Sequence, residues 1–191
     1  MKKNLSTKAL VTPLPVLIIA TYNEDGTPNA MNVAWGGQCG PKHVVMNLSL
    51  AMGHKTNDNL KAHQAFTVSY ANAALVDASD YVGIVSGSKV KDKIEKAGLH
   101  AVKSEFVDAP VLIEYPLTAE CKVVEMTETA LGELRVVGEI LNISADEGIL
   151  DESGKVDLGK LRPIIYDSAQ NLYRVVGEEV GQAWGSGKKL M

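Results

Sequence analysis

The sequence predicts a mainly β protein, an antiparallel barrel with short peripheral helices, and three observations carry that reading. Its apolar segments are short, β-branched and separated by turn residues rather than spread over helical periods. Asp25-Gly26 falls between two such segments, a dipeptide suited to a tight hairpin. Leu117 to Thr127 and Glu133 to Ser144 alternate in polarity on either side of a loop holding Gly132, the pattern of a long hairpin. With 191 residues, 46% of them hydrophobic, and no linker, repeat or low-complexity stretch, residues 1–191 are expected to form a single domain.

Taken in order, Leu14 to Thr21 is the first expected strand, and Pro28 to Ala34 pairs with it across Tyr22 to Thr27. His43 to Leu50 is the third and Ala65 to Ala71 the fourth. Between these two, Thr56 to His63 gives about two helical turns, with Thr56 as the N-cap. Ala78 to Val82 and Lys89 to Ala97 are expected to be short helices, the second stopped by Gly98 in a left-handed cap. The long hairpin supplies the fifth and sixth strands. Asp157 to Leu161 forms one helical turn ended by Pro163, and Ile164 to Tyr166 begins an extended region running through Tyr173.

Composition narrows the partners. A net charge of -4 with scattered Lys and Arg leaves no basic stripe for a nucleic-acid backbone. Lys2 and Lys3 followed by an apolar run resemble a secretion signal, but Pro13 and Pro15 interrupt the run and no small-residue cleavage site follows. No apolar stretch approaches a membrane span. Two cysteines, Cys39 and Cys121, are too few for a disulfide framework, and a reducing cytoplasm is the expected compartment.

Met31 to Asn59 carries most of the chemistry: a strand breaking into a glycine pair, a second strand ending in Ser49, and a His54-Lys55-Thr56 turn opening a helix. A flat, phosphorylated heteroaromatic ligand needs these features together, and FMN is the ligand expected. Lys55 offers a full charge, Thr56 a hydroxyl and helix-start amides, and Ser49 a second hydroxyl for a phosphate that carries close to two negative charges. Read alone, Thr56 is an ordinary N-cap and Lys55 a solvated charge; the strand-to-helix context and the resemblance given below favour the phosphate. Asn59, one turn on, either reaches the phosphate or caps the turn. Trp35-Gly36-Gly37-Gln38-Cys39 is the segment for the ring, because backbone groups outside a ladder can read its edge and glycine permits the approach. The alternative there is a glycine bulge with Trp35 in the core.

Several segments together resemble one family in the same order along the chain. They are Leu14 to Ile19 with Asp25-Gly26-Thr27, Asn32 to Cys39, Ser49 through Thr56 with Asn59, Asp80-Tyr81 with Val85-Ser86-Gly87, and Gly154-Lys155-Val156-Asp157. The family is the flavin-reductase-like FMN-binding split barrels, with flavoredoxin-type proteins the most alike. The resemblance implies a six-stranded Greek-key split barrel, a homodimer and one FMN per subunit near the dimer interface. It adds Asn32, Ala34 and His54 to the FMN-contacting set. It also places Ser86, Gly87 and Lys89 near the flavin, from the same or the partner subunit; without it they read as a glycine turn before a surface helix.

Other signals are weaker. Cys39 and His43 lack the further ligands of a zinc site. Asp151 to Gly154 puts glycine too early for a calcium loop, and Gly181 to Lys188 has Gln182 where a P-loop spacing fails. No Gly-x-Gly-x-x-Gly follows a strand, so a nicotinamide donor leaves no motif of its own. The function expected is an FMN-dependent oxidoreductase or electron carrier, taking electrons from a donor such as NADH or NADPH and passing them to a flavin, metal complex or redox protein. The alternatives are a non-catalytic flavin-binding or flavin-sensing protein, or a barrel that has lost the cofactor and serves as an interaction module. No side chain is required as a catalytic acid or base, since the chemistry belongs to the flavin.

Overall fold

The computed structural model describes residues 1–4 and 13–191; the apolar run between Lys3 and Pro13 lies outside the described residues. The strands are β1 (Leu14–Pro15), β2 (Leu17–Tyr22), β3 (Pro28–Val33), β4 (Gly36–Gly40), β5 (His43–Ser49), β6 (Ala65–Tyr70), β7 (Ala101–Lys103), β8 (Pro110–Leu112), β9 (Leu117–Glu128), β10 (Glu133–Ala145), β11 (Ile164–Asp167) and β12 (Leu172–Val175). The helices are α1 (Lys55–His63), α2 (Val76–Ile84), α3 (Lys93–Lys96) and α4 (Leu158–Leu161).

Seven strands form the main antiparallel sheet in the order β3-β2-β6-β9-β10-β5-β4. Six of them are the six expected from sequence. The seventh, β4, is the stretch expected to break at a glycine pair; instead Gly36 pairs with Met46 and Gly37 with Val45. The ladder does not close, since β3 and β4 are both edges. Yet only Ala34 and Trp35 separate the end of β3 from the start of β4. Three Cα steps of about 3.8 Å bring those opposite edges within roughly 11 Å of each other. The sheet is therefore rolled, with an open seam where the chain crosses from one edge to the other.

Two cores explain the patterning. Inside the roll, Leu17, Ile19, Met46, Phe66, Val68, Cys121 and Val136 pack together. On the outer face, Ile18 and Ala20 pack with Val82, Ile94, Leu112 and Ile164. This double burial is why β2 reads as an unbroken apolar run, whereas β5, covered on one face, alternates. The expected first strand divides at Val16: β1 pairs with β11 in a separate three-stranded sheet and β2 joins the barrel. The expected extended run through Tyr173 is likewise folded back, as the β11–β12 hairpin.

The helices differ in their limits. α1 begins at Lys55 with extended His54 in the N-cap position, so Thr56 lies inside the helix rather than capping it. α2 is longer than Ala78 to Val82 because a 3-10 turn at Ala73–Leu75, capped by the Asn72 side chain, feeds into it. The expected helix from Lys89 to Ala97 is reduced to α3, the residues before it being held in turns by Lys89 and Val90 amides donating to the Ser86 carbonyl. Gly98, at φ +70°, takes the expected left-handed position.

Candidate functional site

The seam opens into a continuous cleft. One cavity of about 380 Å³ lies between the start of α1, the end of α2 and the turn at Ser86–Lys89. A second, of about 300 Å³, follows the seam past Ala34, Trp35, Asn47 and Ser49. Met31, Met52, His54 and Gly83 line both, so the two are compartments of one site.

The first compartment combines apolar side chains with three lysines, Lys55, Lys89 and Lys93, and no acidic residue. α1 presents its first amides there, with Lys55 and Thr56 on the wall. Beneath them Asn29, from β3, donates through Nδ2 to Thr56 Oγ1 at 3.1 Å, while its own Oδ1 is buried without a partner. Gly87 passes directly over that amide: a β-carbon at this position would collide with Asn29 Oδ1. Lys93 forms the most telling part of the floor. It is 3% exposed, and its Nζ donates to the carbonyls of Val82 (3.1 Å) and Val85 (2.7 Å), leaving one of three N–H groups for a ligand. Burial pulls this amine down to about 8. His54 is also lowered, first by burial and then by the nearby charge of Lys93. The acidic residues Glu24, Asp25 and Asp58 line an outer cavity instead, which Lys55 and Gly87 share.

The second compartment has a different character. Trp35 is 55% exposed, so it forms part of the open rim and not of the core. Its carbonyl accepts from the Asn47 amide at 2.9 Å, which fixes the crossover between the two sheet edges. Ser49 is tied to the helix start through its carbonyl, which accepts from Asn57 Nδ2 at 3.2 Å. A third cavity of about 220 Å³ continues from Asn32, Ala34 and Gly83 towards Tyr166 and Tyr173. Tyr173 donates to Asp80 Oδ1 at 2.7 Å; burial and that bond push its hydroxyl up to about 12.

Ten of the residues singled out in the sequence thus meet in one cleft within one chain: Asn32, Ala34, Trp35, Ser49, His54, Lys55, Thr56, Ser86, Gly87 and Lys89. Five line none of these cavities. Gly36 and Gly37 belong to the β4 ladder, and the close approach at Gly36 is to Val45 and Met46 rather than to open space. Gln38 turns back to donate to the Gly40 carbonyl, and Cys39 is exposed on the same edge strand. Asn59 is fully buried and donates to Thr21 Oγ1 (3.0 Å) and Asn23 Oδ1 (2.9 Å), pinning α1 to the β2–β3 turn. Sequence reasoning missed Asn29 and Lys93. Asn29 carried a weak signal, one of two asparagines in a short strand; Lys93 is one of four lysines between Lys89 and Lys96, and nothing local separates it from its solvated neighbours.

An open, rolled sheet with a lysine-lined cavity at its seam, beside a compartment walled by Ala34 and Trp35, is the architecture of the split-barrel flavin proteins. The chain belongs to the flavin reductase like domain family, whose model matches residues 10–170. The fold is similar to that of flavoredoxin from Desulfovibrio vulgaris (Miyazaki F), with TM-score 0.90, 35% identity, and 98% of this chain and 100% of that one covered. Flavoredoxin from Methanosarcina acetivorans superposes with TM-score 0.89 at 28% identity over 100% of both chains. An uncharacterised protein of Bacillus subtilis (strain 168) is 26% identical, with 96% of this chain and 94% of the relative covered. No helix among the described residues is long and apolar enough to cross a membrane.

Proposed function

We propose that the protein is an FMN-dependent oxidoreductase of the electron-transferring, flavoredoxin-like kind, working as a cytoplasmic homodimer. The observation that carries this reading is the buried Lys93 beneath the start of α1, next to an Asn29 carbonyl oxygen that has no partner and a glycine crossing where a side chain cannot fit. A buried cation with a free N–H, beside helix-start amides and the Lys55 charge, suits a phosphate dianion. The two compartments lie in the 300–1,000 Å³ range usual for small-molecule sites, about 380 and 300 Å³.

In this reading Lys55, Thr56, Lys89 and Lys93 hold the phosphate, and Asn29 positions the Thr56 hydroxyl. Ala34 and Trp35 wall the flat ring along the seam, with Asn32 and Ser49 as polar groups at its margins. Bound FMN would supply the redox chemistry, accepting a hydride or electrons from a donor such as NADH or NADPH and releasing them to a flavin, metal complex or redox protein. The side chains bind, orient and exclude water. His54, kept neutral near pH 7 by its lowered pKa, adds no charge at the junction of the compartments.

The test is an absorbance spectrum of purified protein before and after anaerobic addition of NADH or NADPH, followed by identification of the released chromophore. FMN that bleaches on addition is the expected result. A colourless protein that takes up no FMN would overturn the flavin assignment. Oxidised FMN that no donor reduces would leave a binding protein in place of an oxidoreductase.

A further inference from the structure

Under the proposed function FMN takes the first two compartments of the cleft, and the third cavity is left over. It holds about 220 Å³ and opens onto the seam compartment along Asn32, Val33, Ala34 and Gly83, which line both. Three elements build it. Tyr166 and Tyr173 stand opposite each other across the β11–β12 hairpin, so both rings lie on one face of it, with centroids 6.1 Å apart. Asp80, Gly83 and Ile84 fall at i, i+3 and i+4 of α2, one stripe of that helix. On β3, Asn32 donates through Nδ2 to the Ser79 carbonyl at 3.2 Å, which holds strand and helix together at the boundary between the two cavities. Gly83 lines all three cavities, and a β-carbon there would collide with the Asn32 amide.

The polar groups of this cavity are biased towards accepting hydrogen bonds. The Tyr173 hydroxyl donates its one hydrogen to Asp80 Oδ1 at 2.7 Å, and the Tyr166 hydroxyl donates its own to Asn171 Oδ1 at 2.9 Å. Asp80 Oδ2 accepts from no described residue, and none of the ion pairs among the described residues includes Asp80. Among the described residues that line the cavity none is Lys, Arg, His or Glu, so Asp80 carries the one charge there. The sign is opposite to that of the first compartment. Tying the hairpin to α2 requires only one acceptor for Tyr173, which an asparagine would supply; the charge and the second oxygen of Asp80 go beyond that requirement. A half-buried carboxylate without a cation is unfavourable, and a ligand that brings N–H groups or positive charge offsets the cost. An anionic ligand would add repulsion.

We propose that this cavity is a subsite beside the flavin for a flat ring bearing N–H donors, neutral or cationic, which sits against Tyr166 and Tyr173 with its N–H groups on Asp80, and that Asp80 excludes anionic rings. The proposal rests on the FMN reading and adds to it a ligand chemistry and a specificity-determining residue. Two sources share that chemistry: the carboxamide end of a nicotinamide, and an aromatic amine or amide that accepts electrons.

The test uses three probes of one shape and three charges: benzamidinium, benzamide and benzoate. Each is titrated into FMN-loaded, full-length protein, with binding read from the flavin absorbance and from saturation-transfer NMR of the probe. The expected order is benzamidinium, then benzamide, then benzoate, with at least about tenfold between the first and the last. Asp80→Asn, which keeps an acceptor for Tyr173 and removes the charge, should bring the three within about threefold of one another, while Tyr173→Phe, which keeps the charge, should preserve the order. FMN affinity should stay within about twofold in both variants, since neither residue lines the first two compartments. Displacement of benzamide by NAD⁺ would assign the cavity to the nicotinamide, and binding without displacement to a separate aromatic acceptor. Benzoate binding as tightly as benzamidinium, or the order surviving in Asp80→Asn, would overturn the proposal. So would a tenfold loss of FMN affinity in Asp80→Asn, which would make the cavity part of the flavin site itself. Probes that fail to bind FMN-loaded protein remove the subsite and leave the FMN reading standing, whereas a protein that takes up no FMN removes both.

Discussion

The two ends of the cleft are built on opposite plans. The α1 end is built by long-range contacts: Asn29 reaches Thr56, Lys93 reaches carbonyls at the end of α2, and the Ser86–Lys89 turn lies beside them. The seam end is formed where two sheet edges meet, with the exposed Trp35 beside Ala34, Asn47 and Ser49. One end gathers Lys55, Lys89 and Lys93, the other carries no lysine. Under the proposed function, the lysines would hold the FMN phosphate and the seam would take the ring.

The largest expected effect attacks the α1 end. Replacing Lys55 and Thr56 together by alanine removes two contacts to a charged group, each worth about 1.5 to 3 kcal/mol, so FMN affinity should fall roughly 10²- to 10⁴-fold in a fluorescence titration. Riboflavin, which lacks the phosphate, should lose less than about tenfold. Equal weakening of both would erase the distinction between the two ends.

Next comes pH. Burial pulls Lys93 from 10.5 to about 8, so between those values the unfolded chain binds more protons than the folded one. The contribution of Lys93 to stability therefore rises with pH across that window: the penalty of burying its charge is fully present below 8 and relieved above it. FMN binding runs the other way, since a phosphate favours the protonated amine. Affinity should be flat from pH 7 to 8 and then fall, by at most about tenfold per unit. Riboflavin should show no such slope, and Lys93→Met should abolish it. A slope surviving in Lys93→Met would place the titrating group elsewhere.

Smaller effects belong to β4, next to the seam end. Gly36→Val brings a side chain onto the Val45 carbonyl and Met46, and should lower unfolding free energy by about 1 to 3 kcal/mol in urea denaturation. Gly37 has nothing within 4 Å of a β-carbon, and Gly37→Val should stay within about 0.5 kcal/mol with normal flavin affinity. Strong flavin loss in Gly37→Val with stability intact would return the β4 edge to the ring site.

Legibility in the sequence follows the range of the interactions. Six strands and the α1 turn were readable because periodicity and turn chemistry are local. β4 was not, because Gly36-Gly37 reads as a break and only β5 supplies the partner that makes it a strand. In the cleft, Lys55 and Thr56 were readable from the His54-Lys55-Thr56 motif, whereas Ser86 and Gly87 came only with the family resemblance. Lys93 was not readable, since its burial depends on carbonyls at the end of α2 that its own neighbours do not reveal. Asn59 went the other way: its place one turn into α1 pointed equally to a ligand, and tertiary packing uses it to hold the β2–β3 turn.

The most direct measurement is a side-by-side titration of flavin-free protein with FMN and riboflavin at pH 7. Two or more charge-assisted contacts at the α1 end predict FMN binding tighter by about 100-fold or more. Equal affinity for the two would contradict a phosphate held by Lys55, Thr56 and Lys93.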